Sequence, residues 1–200
     1  MSRLSENLTA SAGRGHAAPS PEFSLEERRI LLRLAHQSIL SAFADQGLPA
    51  APPFPHLAEP RGAFTTLYLH GSLRGCVGYA MPVAPLYQAV AETARAAAFE
   101  DSRFWPVTQE EAGQLEISLS VLSRLFPIHP EGVEVGRHGL VVSFASHRGL
   151  LLPQVPVECN WDRETFLQQT CRKAGLPSDA WRKDATLEAF TAEVFRDNET

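Results

Sequence analysis

The first apolar positions along the chain repeat with a helical period. A capping box formed by Ser24 and Glu27 predicts the start of a helix. The stripe that follows places apolar or small residues every three or four positions, as the buried face of a helix requires. Its members are Leu31, Leu34, Ala35, Ser38 and Ala42. Gly47 is expected to end this helix, because glycine readily takes the left-handed conformation found past a helix end.

Two flanking segments lack such a period. Residues 1–22 are rich in small and polar residues and are predicted to form a disordered tail, because they bury too little surface to offset chain entropy. Residues 48–60 contain five prolines and predict an extended connector. Residues 23–200 are predicted to form a single domain.

A hairpin is predicted next, with strands at 64–70 and 73–79 rich in strand-forming residues. A helix is expected from Pro85, and a short helix from the capping box of Thr108 with Glu111. Alternating apolar and polar positions then predict a strand at 115–121. Gly71 and Ser72 suit the two-residue turn of the hairpin.

The second half repeats this order. Its elements are expected as strands at 140–145 and 150–155 around a turn at 146–149, a helix from Asp162 to Ala174 ended by Gly175, and a strand at 187–195. Pro153 is expected at a sheet edge, since it cannot donate to a ladder.

A common offset links the two halves. The Arg-Gly pairs at 74–75 and 148–149 are 74 residues apart, and strand positions 115–121 and 189–195 have the same offset. This suggests an internal duplication of a hairpin-helix-strand unit. The predicted fold class is α+β, with mostly antiparallel sheet.

Composition narrows the class of protein. The 200 residues suffice for one domain or two small lobes, and the net charge of −5 argues against a general nucleic-acid binder. Three cysteines without C-x-x-C spacing favour a reducing compartment over a disulfide framework. No apolar run of about 18 residues and no secretory signal is present, so no membrane span and a cytoplasmic location are expected. No metal or cofactor motif is recognised, and neither group is expected.

The stretch Leu73–Gly78 carries the most chemistry. It places Cys76 between Gly75 and Gly78, two residues past Arg74. A nearby positive charge favours the thiolate, which is the reactive form, and glycine lets a ligand or a second backbone approach closely. The alternatives are a small buried hydrophobe for the cysteine and a bulge or bend for the glycines.

Together these residues resemble the AMMECR domain family, known in prokaryotes as AmmeMemoRadiSam system protein A, from about Phe23 to Phe195. The motifs that carry the resemblance are Arg61–Phe64, Leu73–Gly78, Pro85–Leu86, Ala97–Phe99, Asp101–Phe104, Val135–Leu140, Leu151–Val155, Trp161 with Phe166 and Leu167, and Lys173–Leu176 with Trp181. The resemblance implies an α+β fold of two unequal lobes with a cleft near the cysteine motif. It also implies association with a Memo-like protein and a radical-SAM enzyme, and it supplies no reaction.

Two classes of function fit these observations. In an enzyme, Cys76 would act as nucleophile or acid/base, and Asp101 or Glu116 would handle protons. The residues expected to bind a small anionic ligand are Arg61, Arg74, Gly75, Gly78, Arg103, His138 and Gln154. The structural alternatives are surface pairing for the arginines and a turn role for the histidine. Ser118 stands where many family members carry an acidic residue, which puts a general base at that position in doubt.

The hypothesis that follows is a cytosolic component of a modification or biosynthetic pathway shared with Memo-like and radical-SAM proteins. It would bind a small anionic ligand near Cys76. The other hypothesis is a non-catalytic adaptor or binding module that docks those partners. The chain lacks the three-cysteine motif of radical-SAM enzymes, so a radical step would lie in the partner.

Overall fold

The computed structural model describes residues 21–197. Within them, five α-helices and eight strands follow one another. The helices are α1 Leu25–Phe43, α2 Leu86–Phe99, α3 Gln109–Ala112, α4 Gln154–Glu158 and α5 Arg163–Lys173. The strands are β1 Ala63–Leu69, β2 Ser72–Tyr79, β3 Leu115–Leu122, β4 Phe126–Pro127, β5 Gly139–Phe144, β6 His147–Leu151, β7 Thr186–Phe190 and β8 Ala192–Arg196. The strand pairs are antiparallel, and the predicted α+β class is confirmed.

The first lobe is a four-stranded sheet in the order β2-β1-β3-β8, with α1 and α2 on one face. The predicted capping box begins α1: Ser24 Oγ accepts from the amide of Glu27, whose carboxylate accepts from the amide of Ser24 at 2.8 Å. Ser38 Oγ donates to the Ala91 carbonyl at 2.6 Å and joins α1 to α2. This lobe holds the larger apolar core.

The second lobe is a four-stranded sheet in the order β4-β7-β5-β6, with α5 on one face. Its core includes Leu140, Val142 and Phe166. The predicted cap of α5 is confirmed, because Asp162 Oδ1 accepts from the amide of Thr165 at 2.8 Å. Gly175 follows this helix with a φ of +74°, which is the conformation expected of a stop.

A third apolar cluster joins the two lobes. It consists of Leu122, Val141 and Phe190, with Phe64 and Leu150 packed against it. Leu122 and Phe190 are the last residues of β3 and β7. The helix-free faces of the two sheets therefore meet at the ends of these strands.

The two lobes share one topology. In each, the first strand of a hairpin also pairs with a third strand, and a fourth strand pairs with the third. The fourth strand comes from the other half of the chain: β4 follows β3 but pairs with β7, and β8 follows β7 but pairs with β3. The two connections touch, since the Ser123 amide donates to the Thr191 carbonyl at 2.9 Å and the Thr191 amide donates to Ser123 Oγ at 3.0 Å.

The glycines of the two Arg-Gly pairs occupy equivalent places. A Cβ on Gly75 would meet the carbonyl oxygen of Ala97 at the end of α2, and a Cβ on Gly149 would meet the backbone of Ala174 just past α5. The common offset of 74 residues does not extend to the third strands. Ile117 and Leu187 hold equivalent register positions and lie 70 residues apart (187 minus 117), because the connecting segments differ in length.

Three predicted boundaries are corrected by backbone conformation. The first helix ends at Phe43 rather than near Gly47, because Asp45 takes a left-handed φ of +51°. The first hairpin turns at His70 and Gly71, both with positive φ, and Ser72 already belongs to β2. A two-residue primed turn needs two left-handed residues, and this requirement moves the turn by one position. The second hairpin likewise turns at residues 145–146, because Phe144 pairs with His147.

Two predicted strands are also wrong in extent. The strand expected at 150–155 ends at Leu151, and Pro153 precedes the short helix α4 instead of lying at a sheet edge. The strand expected at 187–195 divides at Thr191 into β7 and β8, which belong to different sheets. The apolar pattern continues through both strands, so it gave no sign that the chain passes from one sheet to the other.

The predicted tail of residues 1–22 lies outside the described residues except for its last two. Glu22 is anchored on the domain: its amide donates to Glu193 Oε2 at 2.7 Å, and its carboxylate accepts from Arg61. Glu22 therefore belongs to the domain rather than to the predicted tail.

Candidate functional site

The helix-free face of the first sheet carries a row of polar side chains. Cys76 on β2 pairs with Thr66 on β1, Thr66 with Ser118 on β3, and Ser118 with Arg196 on β8. Directly opposed residues share one face of an antiparallel sheet, so the four form a line across it. We call this line the polar row. Arg196 lies over the ring of Tyr68 at 6.0 Å.

Cys76 is half-buried at one end of the polar row. Thr66 Oγ1 donates to its sulfur at 3.4 Å. The fully buried packing role considered for this residue does not describe its position, whereas Cys171 is buried and Cys159 is exposed. Burial raises the pKa of the Cys171 thiol.

Asp101 holds the backbone and the arginine next to Cys76. Its carboxylate accepts from the Cys76 amide at 2.8 Å and from Arg103 Nε and Nη2 at 2.9 and 2.6 Å. The Arg103 guanidinium, followed by the backbone amides of Cys76 and Arg103, holds the pKa of Asp101 well below its usual range against the opposing effect of burial. The carboxylate is therefore ionised and occupied by donors, which suits positioning better than proton transfer.

Arg103 presents a charge beside the thiol. Its side chain is 57% exposed, whereas that of Asp101 is only 7% exposed. Arg103 Nη2 also donates to the Cys76 carbonyl at 3.3 Å, and the guanidinium lies 5.4 Å from the ring centroid of Phe104. Because the Asp101 carboxylate is nearly buried, the exposed surface next to Cys76 is mainly the Arg103 guanidinium.

Arg74 is engaged by protein groups. It makes a two-pronged pair with the Glu111 carboxylate at 3.2 and 3.1 Å and donates to the carbonyls of Trp105 and Pro106. The same pair keeps the pKa of Glu111 below its ordinary value. Arg74 thus fastens the segment before α3 to β2, and this engagement disfavours the ligand role predicted for it.

The two glycines of the motif are required by packing. A Cβ on Gly75 would lie 2.1 Å from the Ala97 carbonyl oxygen, and one on Gly78 would lie 2.1 Å from the ring of Phe64. Close packing within the protein accounts for both glycines without a ligand.

Arg61 lies apart from the other arginines. It precedes β1, at the end of the hairpin where Ala63 pairs with Tyr79. Its side chain is 4% exposed, and Nη2 donates to Glu22 and Glu59 at 2.5 and 3.0 Å. Its Nε is buried without a hydrogen-bond partner within residues 21–197. The arginines predicted to bind a ligand therefore do not converge on one site.

Three further predicted residues have no hydrogen bond to Cys76 in the described part of the chain. Glu116 is exposed on the same sheet face, beside Tyr68. His138 is buried in the second lobe, where its Nδ1 accepts from the Glu134 amide at 3.1 Å and burial lowers its pKa. Gln154 is exposed at the start of α4.

Residues 21–197 contain no cluster of three His, Cys, Asp or Glu side chains suited to a metal ion. No helix among them is long and apolar enough to cross a membrane. Sequence reasoning missed Thr66 as a neighbour of Cys76 and missed Arg124, which shares Glu59 with Arg61. The antiparallel pairing of two predicted hairpin strands was the signal that would have found Thr66.

Fold and site together define a two-lobed α+β protein with a half-buried thiol on the polar face of its larger lobe. A family model described as AMMECR1 matches residues 32–195. The chain belongs to the AMMECR1 family, as the motif resemblance predicted.

Relatives of known sequence and structure agree with this membership. A protein of Thermococcus gammatolerans is 43% identical over 84% of this chain and 88% of its own length. A protein of Methanopyrus kandleri is 41% identical over 89% of this chain and 92% of its own. The crystal structure of the uncharacterized protein PH0010 from Pyrococcus horikoshii matches with a TM-score of 0.66 at 39% identity, over 85% of this chain and 91% of that one.

Proposed function

We propose that this protein is a cytosolic component of a modification or biosynthetic pathway and binds a small anionic ligand on the polar row beside Cys76. The observation that carries the binding part is the exposed Arg103 guanidinium, which donates to the backbone carbonyl of Cys76, a residue with a half-buried thiol. Guanidinium groups recognise carboxylate and phosphate through paired hydrogen bonds.

The surroundings of Arg103 support this use. Asp101 fixes the guanidinium with two hydrogen bonds, so little side-chain entropy is left to lose when a ligand binds. Within residues 21–197, Nη1 of Arg103 makes no hydrogen bond, so a ligand oxygen can accept from it. An anion over this corner of the sheet would meet a guanidinium that is held in place.

The proposal predicts that an anionic alkylating reagent is favoured at Cys76. We expect the ratio of iodoacetate to iodoacetamide rate constants to be about fivefold higher at Cys76 than at the exposed Cys159, because the Arg103 guanidinium attracts the carboxylate of iodoacetate. Peptide mass spectrometry of the time course gives both rates. Arg103→Gln should remove the preference.

Arg182→Gln is the matched control for that variant. Arg182 is also about half exposed, pairs with one carboxylate at 2.6 Å, and lies against an aromatic ring at 4.6 Å. The buried Cys171 reports on folding, because it reacts only when the protein opens. Equal ratios at Cys76 and Cys159, or a ratio that survives Arg103→Gln, would overturn the proposed anion site.

A second function, docking of a partner protein, is favoured by Trp105. Its side chain is 88% exposed, while its carbonyl accepts from Arg74 Nη1 at 2.8 Å. A large aromatic ring on a fastened backbone resembles the anchors that dominate protein interfaces. The Memo-like protein implied by the family resemblance is the partner proposed for it.

Trp105→Ala is expected to weaken binding of a purified Memo-like protein by about tenfold or more in calorimetry. The free energy of unfolding should change by less than about 0.5 kcal/mol, since the exposed ring packs on little. Val83→Ala, at another exposed apolar position, is the control and should bind normally. Unchanged affinity in Trp105→Ala would exclude this surface as the docking site.

A further inference from the structure

We propose that a cavity at the junction of the two lobes binds a small carboxylate with an apolar body. The cavity has a volume of about 190 Å³ and shares no residue with the polar row. It is therefore a second site, independent of the ligand proposed beside Cys76.

The body of the cavity is apolar. Its lining comes from the segment before β1, the segment after β2, the end of β3 and the end of β7. The apolar side chains that contribute are Met81, Pro82, Leu122, Leu125 and Phe190. A cavity of roughly 150 Å³ lined by such residues accepts benzene, so this one has room for a six-membered ring with a small substituent.

The polar part of the wall is basic. Two arginines, Arg61 and Arg124, line the cavity together with Ser123, and no residue of the described lining carries a carboxylate. The acids that balance these arginines, Glu22 and Glu59, line an adjoining groove instead. A ligand in the cavity therefore meets these guanidinium groups without contacting their acidic partners.

Arg61 is the most specific feature of the cavity wall. Its side chain is almost fully buried, and its Nε has no hydrogen-bond partner within residues 21–197. A buried N–H without an acceptor is destabilising, and a ligand oxygen placed against it would remove that cost. Nη2 of the same residue is already fixed by Glu22 and Glu59, which holds the guanidinium in place.

Arg124 supplies a charge that can adjust to the ligand. Its side chain is 71% exposed and contacts Glu59 at 2.8 Å. Arg124 shares Glu59 with Arg61, at 2.8 and 3.0 Å, and Arg61 also pairs with Glu22. A ligand carboxylate would give Arg124 a partner that it does not share, whereas a neutral acceptor would satisfy Arg61 Nε alone.

Benzoate is the probe for this site, and benzamide is its neutral counterpart of the same shape. Titration of 15N-labelled full-length protein should produce saturable shifts of the Gly62, Met81 and Ser123 amides and of the Arg61 Nε–H resonance. Benzamide should bind at least about fivefold more weakly, the factor given by about 1 kcal/mol for one lost charge interaction.

Two variants test the basic wall and the apolar body of the cavity separately. Arg124→Gln should weaken benzoate binding about fivefold, because it removes the adjustable charge. Leu125→Trp should abolish binding by filling the cavity. Arg137→Gln is the control, since Arg137 is 42% exposed, pairs with Glu134 and lies outside the cavity.

Absence of saturable shifts up to about 10 mM benzoate would overturn the proposal. So would benzamide binding as tightly as benzoate, or full affinity in Leu125→Trp. Arg103→Gln should leave the benzoate-induced shifts of the Gly62, Met81 and Ser123 amides unchanged, so that failure of the Cys76 site and failure of the junction site are told apart.

Discussion

Replacing Gly75 by alanine is expected to destabilise the protein by about 3 kcal/mol or more, the upper range for inserting atoms into a packed interior. The new Cβ would lie 2.1 Å from the Ala97 carbonyl oxygen, in the last turn of α2. That atom belongs to backbone, so relief requires the strand and the helix to move apart. Because α2 covers the first sheet, such a movement would open the larger core.

Chemical denaturation monitored by circular dichroism measures this loss. Gly113→Ala is the matched control: Gly113 has a helical φ of −76° and nothing within 4 Å of the added methyl. It should change stability by no more than about 0.5 kcal/mol. Gly149→Ala should behave like Gly75→Ala, since its Cβ would lie 2.3 Å from the Ala174 amide nitrogen. A loss below about 1 kcal/mol in Gly75→Ala would contradict the packing role.

Asp101→Asn is expected to cost about 2–3 kcal/mol at neutral pH, because charge-assisted hydrogen bonds to a nearly buried carboxylate are lost. The amide side chain would offer one oxygen where two now accept from the Cys76 amide and the Arg103 guanidinium. Asp184→Asn, at an exposed position, is the control and should have little effect.

The same variant has a defined pH dependence. The folded-state pKa of Asp101 lies below its unfolded value of about 3.9, so its contribution is fully present above that pH and is lost as pH falls toward the folded pKa. The difference in unfolding free energy between the native protein and Asp101→Asn should therefore shrink below about pH 4. A difference that stays constant between pH 7 and pH 3 would show that the carboxylate charge contributes nothing.

Local chemistry explains which parts of the fold were predictable. The caps at Ser24, Thr108 and Asp162 need only a partner three residues away in the chain, and all three are confirmed. The hairpins follow from a period of two, although their turns depend on which residues accept a left-handed φ. The division at Thr191 depends on pairing with distant strands, which no local pattern contains.

The site was predictable to a lesser degree for the same reason. Asp101 and Arg103, both predicted to belong to the site, lie in the loop after α2 and form hydrogen bonds with the backbone of Cys76. Arg74 was expected to face a ligand, but its partner Glu111 lies 37 residues away in a short helix. Arg61 differs in another way: it is 4% exposed and pairs with Glu22, 39 residues away in the chain, so local sequence gave no sign of its burial.

The exchange of fourth strands between the lobes has a consequence for the history of the fold. Either half of the chain alone would leave its third strand as an open edge, because the strand that covers it is encoded by the other half. Two copies of one half, however, would cover each other's edges by exchanging those strands. A domain-swapped homodimer of a single hairpin-helix-strand unit is therefore the simplest ancestor of this architecture, and fusion of its two chains would have made the exchange permanent.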